Sequence, residues 1–236
     1  MNILIPMAGE GSRFAKEGYT FPKPLIDVNG KPMIQAVVEN LDFNANYIFL
    51  VRKEHLEKYE GLEDTLNRIT NGRCTIVKVD GLTEGAACTA LLAKEYIDND
   101  EDLLIANSDQ IIEYSPENFN LMKELTSFDA MVYTFEAVHP KWSFVKTNSR
   151  GVVTEVAEKR PISNIATCGI YWYRRGSDFV KYAKQMVEKD IRVNNEFYIA
   201  PVYNELIQDG YTLVPFYVHS MNGIGTPEDL RSFLEK

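Results

Sequence analysis

The stretch Asn2-Ile3-Leu4-Ile5-Pro6-Met7, running straight into Ala8-Gly9-Glu10-Gly11-Ser12-Arg13-Phe14, decides the fold. The first six residues are mostly apolar and do not alternate with polar ones. They read as a strand covered on both faces, the kind found in parallel sheets backed by helices. Of the seven that follow, most are small or polar. Glycines there permit positive φ and let backbone N–H groups approach a phosphate closely. The loop lacks the Gly-Lys-Ser/Thr ending of a P-loop, and Phe14 stands where a dinucleotide fingerprint needs its third glycine. On glycines alone, a tight strand-to-helix turn explains the loop equally well.

Downstream, short apolar runs alternate with amphipathic stretches. Strands are expected at 47–51, 75–79 and 102–106, and helices at 31–41, 55–69 and 86–96. This alternation calls for a parallel sheet with helices on both faces, in which ligands bind outside the carboxyl ends of the strands. The loop at 8–14 and the segment Asn107-Ser108-Asp109-Gln110 both fall at such ends. The second half is richer in β, with strands at 130–137, 143–147, 152–157, 166–174 and 212–218. Helices are expected there at 179–188, at 199–208 and after Pro227.

Two cations accompany the first loop. Arg13 lies within it, and Lys23 follows in Thr20-Phe21-Pro22-Lys23-Pro24-Leu25-Ile26. The flanking prolines restrict the backbone around Lys23, so little chain entropy is lost when it is presented to a ligand. Paired cations beside a small-residue loop suit a triphosphate.

The ordered set Ala-Gly-x-Gly-Ser-Arg-Phe, Pro-Lys-Pro-Leu-Ile, Gly30-Lys31-Pro32-Met33 and, far downstream, Gly225-Thr226-Pro227-Glu228-Asp229-Leu230 resembles the nucleoside-triphosphate transferases. That family makes NDP-sugars and related activated metabolites, and the resemblance covers essentially the whole chain. It implies an α/β fold, a single Rossmann-like (GT-A-like) domain with a mixed, mainly parallel sheet. Within 1–236, residues 1–125 would form the NTP-binding half and 126–236 a β-rich, acceptor-binding half. The implied activity is transfer of NMP from an NTP to a small phosphorylated metabolite with release of pyrophosphate, as in surface-polysaccharide (capsule) precursor synthesis.

The resemblance also implies roles for particular residues. Arg13 and Lys23 would be catalytic, and Ala8, Gly9, Gly11, Ser12, Gly85, Ala86 and Asn107 would bind nucleotide. Asp109 would hold Mg²⁺, for which a hard carboxylate oxygen is suited. Glu158 and Lys159 in Glu158-Lys159-Arg160-Pro161, with Gly169, would bind the acceptor. Asn195 and Glu196 either cap the following helix or join them. Glu84 is expected to accept from the 4-amino group of cytosine, favouring CTP over UTP or dTTP, or to favour a helix N-terminus electrostatically. Trp142 reads as a core residue or a pocket wall. One position departs from the family: many members carry a second metal-binding aspartate where this chain has Gly223. Glu196 is then a candidate second ligand, and loss of activity in a regulatory protein is the alternative. A GT-A glycosyltransferase is a further alternative, although Asp109 lacks the second aspartate of an Asp-x-Asp motif.

Composition restricts the partners. The chain has 236 residues and a formal net charge of −9, which argues against nucleic acid or an anionic membrane as the main partner. No apolar run reaches the roughly 20 residues of a membrane span, and no leader peptide is read at the start. Cys74, Cys88 and Cys168 are far apart and suggest free thiols in a reducing cytoplasm. His55, His139 and His219 read as bystanders. An acceptor phosphate is already anionic near neutral pH, so no histidine base is called for. The oligomeric state is not legible from the sequence.

Overall fold

A computed structural model describes residues 1–125 and 127–236; the expected boundary between the halves falls at residue 126, outside the described residues. The strands are β1 Asn2–Pro6, β2 Asp27–Val28, β3 Lys31–Pro32, β4 Asn46–Arg52, β5 Cys74–Val79, β6 Leu103–Ala106, β7 Gln110–Glu113, β8 Ala130–Glu136, β9 Ser143–Thr147, β10 Val153–Glu158, β11 Ile165–Tyr173, β12 Leu213–Tyr217 and β13 Ser220–Gly223. The helices are α1 Ser12–Lys16, α2 Met33–Leu41, α3 Lys53–Lys58, α4 Leu62–Ile69, α5 Ala86–Leu91, α6 Lys94–Ile97, α7 Pro116–Glu124, α8 Gly176–Glu188, α9 Val202–Gln208 and α10 Pro227–Leu234.

One sheet of nine strands runs through both halves in the order β10-β9-β11-β6-β1-β4-β5, with β8 beside β11 and β12 beside β8. The first-half strands pair in parallel, β6 to β1 to β4 to β5, and β11 joins them antiparallel along β6. Strand side chains alternate between faces. In β1, Leu4 therefore enters the core beneath α5, α8 and α9, while Ile3 and Ile5 enter the opposite core beneath α2, α4 and α7. All three are fully buried. At about 1.5–3 kcal/mol per fully buried aliphatic side chain, this double cover explains why the run has no polar face. A third, small cluster of Phe14, Ile26, Val28, Met33, Ile224 and Leu230 ties the first loop to the C-terminal helix.

Several expected elements change on folding. The helix expected at 31–41 begins at Met33, because Lys31–Pro32 pairs with Asp27–Val28 around Asn29-Gly30, both at positive φ. The helix expected at 55–69 is two, divided where Gly61 takes φ 87°. The helix expected at 86–96 also breaks. Leu92 and Ala93 bond three residues back rather than four, which tightens the turn and ends α5. Two features are additional: α7, capped by Ser115 accepting from the Asn118 N–H, and a separate two-stranded sheet of β7 and β13. Among the described residues no helix is long and apolar enough to cross a membrane.

Candidate active site

Because β1 and β6 are adjacent and parallel, the loop after one and Asn107–Asp109 after the other emerge side by side. Gly11, at φ 63°, starts α1, and a Cβ there would lie 3.2 Å from the Lys23 Cβ. The loop thus packs directly against the proline-framed lysine, which sits in a 3₁₀ turn, Lys23–Leu25. Lys23 Nζ donates to Asp109 Oδ2. From the C-terminal side, the Ile224 N–H donates to the Asp109 carbonyl at 2.9 Å. Gly225 lies so close that a Cβ on it would collide with Asp109 Oδ2. A cavity of ≈ 410 Å³ opens at this junction, lined among others by Gly9, Gly11, Ser12, Arg13, Lys23, Asn107 and Asp109. Arg13 is exposed there and has no ion-pair partner among the described residues.

Two further cavities flank the first. One of ≈ 440 Å³ is lined by Ala8, Thr83, Gly85, Ala86, Thr89 and Glu196, and shares Gly9, Gly11 and Ser12 with it. The other, of ≈ 290 Å³, is lined by Gln110, Trp142, Glu158, Lys159, Gly169 and Tyr198, and shares Asn107 with it. Ala86 lines both flanking cavities. The three cavities make one cleft along the carboxyl ends of the central strands.

The third cavity is built around Gly169. It takes φ 73° within β11, where the register to β8 shifts, and its carbonyl accepts from the Asn107 N–H at 3.0 Å. A Cβ there would collide with the side chains of Asn107 and Gln110, so only glycine lets them converge. Glu158 ends β10 and accepts from the Ser143 hydroxyl. Burial pushes its carboxyl above the usual value of 4.5, with a smaller push from Glu196; the Ser143 bond and Lys159 oppose this. Lys159, at φ 53°, holds its ammonium 4.5 Å from the Tyr198 ring centroid and donates to the phenol oxygen. Gln110 Oε1, in the same lining, is buried with no hydrogen-bond partner among the described residues.

Most residues anticipated from sequence line this cleft, but three are placed differently. Glu84 is exposed and absent from the lining of all three cavities; its carboxylate meets Arg192 Nη2 at 2.7 Å. Asn195 also lies outside them, at φ 64° in the turn between Val193 and Glu196. Glu196 lines the cavity beside the glycine loop rather than the one holding Glu158. Trp142, open between core and wall on sequence, is half-buried, lines the third cavity and packs edge-on against Phe135 at 5.4 Å. Gln110 and Tyr198 lie in the segments 107–110 and 194–198 that the sequence points to, but a polar or aromatic side chain carries no sequence mark of its direction. None of the three histidines lines the cleft.

Comparison with known proteins agrees with this geometry. Residues 3–236 match the Nucleotidyl transferase family model, and the chain belongs to that family. It is 26% identical over 98% of its length to the bifunctional protein GlmU of Methanocaldococcus jannaschii, of which it covers 52%. Identity is also 26%, again over 98% of the chain, to the low-salt glycan biosynthesis nucleotidyltransferase Agl11 of Haloferax volcanii, of which it covers 64%. The chain therefore spans between half and two-thirds of the length of these two relatives. A crystal structure of a nucleoside-diphosphate-sugar pyrophosphorylase from Vibrio cholerae superposes with a TM-score of 0.81 at 27% identity, covering 99% of this chain and 100% of that one.

Proposed function

We propose that the protein transfers NMP from an NTP to a small phosphorylated acceptor and releases pyrophosphate. The observation that carries this reading is the convergence of Arg13, Lys23 and Asp109 on one cavity between two others, one beside the glycine loop and one around Glu158 and Lys159. The triphosphate would lie in the central cavity and the base beside Thr83 and Thr89. The acceptor would lie against Gly169. In the reaction an acceptor phosphate oxygen attacks the α-phosphorus in line, and the bond from that phosphorus to the bridging oxygen breaks. The electron pair leaves on pyrophosphate. No proton need be removed from the nucleophile. The work of the protein is to hold two polyanions together, which Arg13 and Lys23 favour through preorganised positive charge.

Asp109 fits Mg²⁺ as a hard oxygen donor. Among the described residues no three His, Cys, Asp or Glu side chains gather as a ligand set. A lone carboxylate can serve Mg²⁺, which commonly takes one or two carboxylates together with substrate phosphates and water. Once bound, the ion would neutralise charge developing on the phosphates. Lys23, already bonded to Asp109, would be held beside it.

The preference for CTP rests in this reading on Glu196, because Glu84 is engaged by Arg192. A carboxylate beside the base accepts from a cytosine 4-amino group and repels the O4 of uracil or thymine. The acceptor would be a sugar 1-phosphate or a phosphocholine-like molecule, for surface-polysaccharide precursor synthesis in the cytoplasm. Lys159 would meet its phosphate and Glu158 its hydroxyl or amine groups. The test is pyrophosphate release with Mg²⁺, each NTP and a panel of phosphorylated acceptors. Release that requires one NTP and one acceptor supports the transferase. Equal turnover with UTP and CTP removes the base preference, and silence across the panel removes the activity.

A further inference from the structure

We infer that Arg192 is a positioning residue that locks the loop around Glu84 to the segment carrying Glu196 and Tyr198, so that the nucleotide-side and acceptor-side walls of the cleft move as one piece. The inference rests on the two-substrate reading above. Arg192 precedes a tight turn in which Asn194 and Asn195 both take positive φ, 48° and 64°. The turn returns the chain so that Val193 and Glu196 pair. Its guanidinium reaches Glu84 Oε2 at 2.7 Å and lies 4.1 Å from the ring centroid of Phe197. Phe197 is almost wholly buried.

Backbone bonds complete the connection. The Phe197 N–H donates to the Glu84 carbonyl at 2.8 Å, and the Phe197 carbonyl accepts from the Ala87 N–H at 2.9 Å. Gly85, at φ 133°, makes this approach feasible, since a Cβ on it would lie 2.5 Å from both the nitrogen and the oxygen of Phe197. Either side of this junction the cavities diverge. Glu196 faces the one beside the glycine loop, and Tyr198 faces the one with Glu158 and Lys159. A nucleotide that orders residues 84–87 would therefore order the acceptor wall as well. Ordering one wall lowers the entropy cost of binding at the other. The carboxylate of Glu84 serves the junction, not the base.

The test has two arms on the full-length chain. In the first, amide hydrogen exchange is followed at residues 84–87 and 196–198. Arg192→Gln is expected to speed exchange at both segments about tenfold and leave β1 and β6 unchanged, because exchange reports local opening. In the second, steady-state pyrophosphate release is measured with the NTP and acceptor found by the panel. Arg192→Gln is expected to raise both KM values about fivefold with kcat within about twofold, the scale of two lost exposed ion pairs, to Glu84 and Asp190, plus a lost cation–π contact. Glu84→Gln, a change at an exposed side chain, repeats both effects should Arg192→Gln fold poorly. Arg192→Lys, which keeps a positive charge between Glu84 and Asp190, recovers part of the loss. Unchanged exchange at both segments, or a KM change confined to one substrate, overturns the inference. A wild-type protein with no turnover at all removes the proposed activity instead, and the exchange arm then decides the coupling alone.

Discussion

Lys23 and Asp109 form an ion pair inside the central cavity, each with about one-fifth of its side chain exposed (22% and 21%). Partly solvated pairs of this kind contribute only about 0–1 kcal/mol to folding. The same two groups line the cavity in which the proposed function would hold a triphosphate and its metal, and that reading gives them a role in ligand charge rather than in the fold.

Lys23→Ala is therefore expected to lower kcat/KM by about two to three orders of magnitude, the usual loss when a preorganised electrostatic group is removed. The melting temperature should fall by no more than about 4 °C. Kinetics and thermal unfolding on one preparation separate the two effects. A large loss of stability with modest loss of turnover would assign the pair a structural role.

Gly225→Ala tests the other side of the same carboxylate. The φ of Gly225 is not in the left-handed region, so alanine is not strained by backbone conformation. Its Cβ would collide with Asp109 Oδ2, however, and displace that oxygen. The expected outcome is a destabilisation of about 1–2 kcal/mol with a much larger loss of Mg²⁺-dependent turnover, recovered in part at high Mg²⁺. Wild-type metal dependence in this variant would mean that Asp109 can shift without consequence and is not the ligand.

Glu158 carries a pH dependence. Its carboxyl is held above 4.5 chiefly by burial. Between 4.5 and that raised value, the folded protein keeps a proton that the unfolded chain has released. The stability linked to this group is thus complete below pH 4.5 and is lost as pH rises through the raised value. Glu158→Gln, which cannot ionise, should gain stability relative to wild type across that window and hold the gain at higher pH. Acceptor KM should move the opposite way: it should fall with rising pH in wild type as the carboxylate forms, and be higher and flatter in the variant. Thermal melts and acceptor titrations from about pH 4 to pH 8 check both signs. A KM profile unchanged by the substitution would separate Glu158 from acceptor binding.

Much of the fold was legible because its determinants are local. The strands β1, β4 and β6 announce themselves as apolar runs, and the strand-end segments at 8–14 and 107–110 follow from them. The broken helix at Gly61 was hidden because a glycine does not interrupt the 3.6-residue apolar period on either side of it. By contrast α7 was readable in principle, since Ser115, Pro116 and Glu117 supply a cap, a first-turn proline and an acidic first turn. Pairing of β7 with β13 brings together residues such as Ile112 and Met221, and nothing local in Met221-Asn222-Gly223 encodes a strand. The same limit governs the site. Arg13 and Lys23 belong to motifs in which residue type and loop context point to phosphate, and Asp109 follows the strand after which the family resemblance implies a metal ligand. Glu84 was read from the same kind of context, but a partner 108 residues away along the chain turns its carboxylate aside.

Gly223 provides the remaining prediction. It ends β13, and its φ, like that of Gly225, lies outside the left-handed region. A Cβ there would stand 3.7 Å from Trp142 Cη2 and 3.8 Å from Asp229 Oδ2, both ordinary contact distances. Neither backbone strain nor crowding requires glycine. Asp229 is fixed by Thr226, whose hydroxyl accepts from the Asp229 N–H at 3.1 Å and donates to its Oδ2 at 2.9 Å. Lys141 Nζ is 3.4 Å from the other carboxylate oxygen and offsets part of the charge. An aspartate at 223 would thus enter beside a carboxylate already partly neutralised, so Gly223→Asp should fold with stability within about 1 kcal/mol of wild type. A second carboxylate near a single-carboxylate site raises divalent affinity through ligand charge, so the Mg²⁺ concentration for half-maximal turnover should fall about tenfold. Mn²⁺ binding followed by electron paramagnetic resonance measures the same change without turnover. If affinity is unaltered while the protein stays folded, the carboxylate at 223 does not reach the ion. Asp109 and the substrate phosphates would then suffice as the coordinating set.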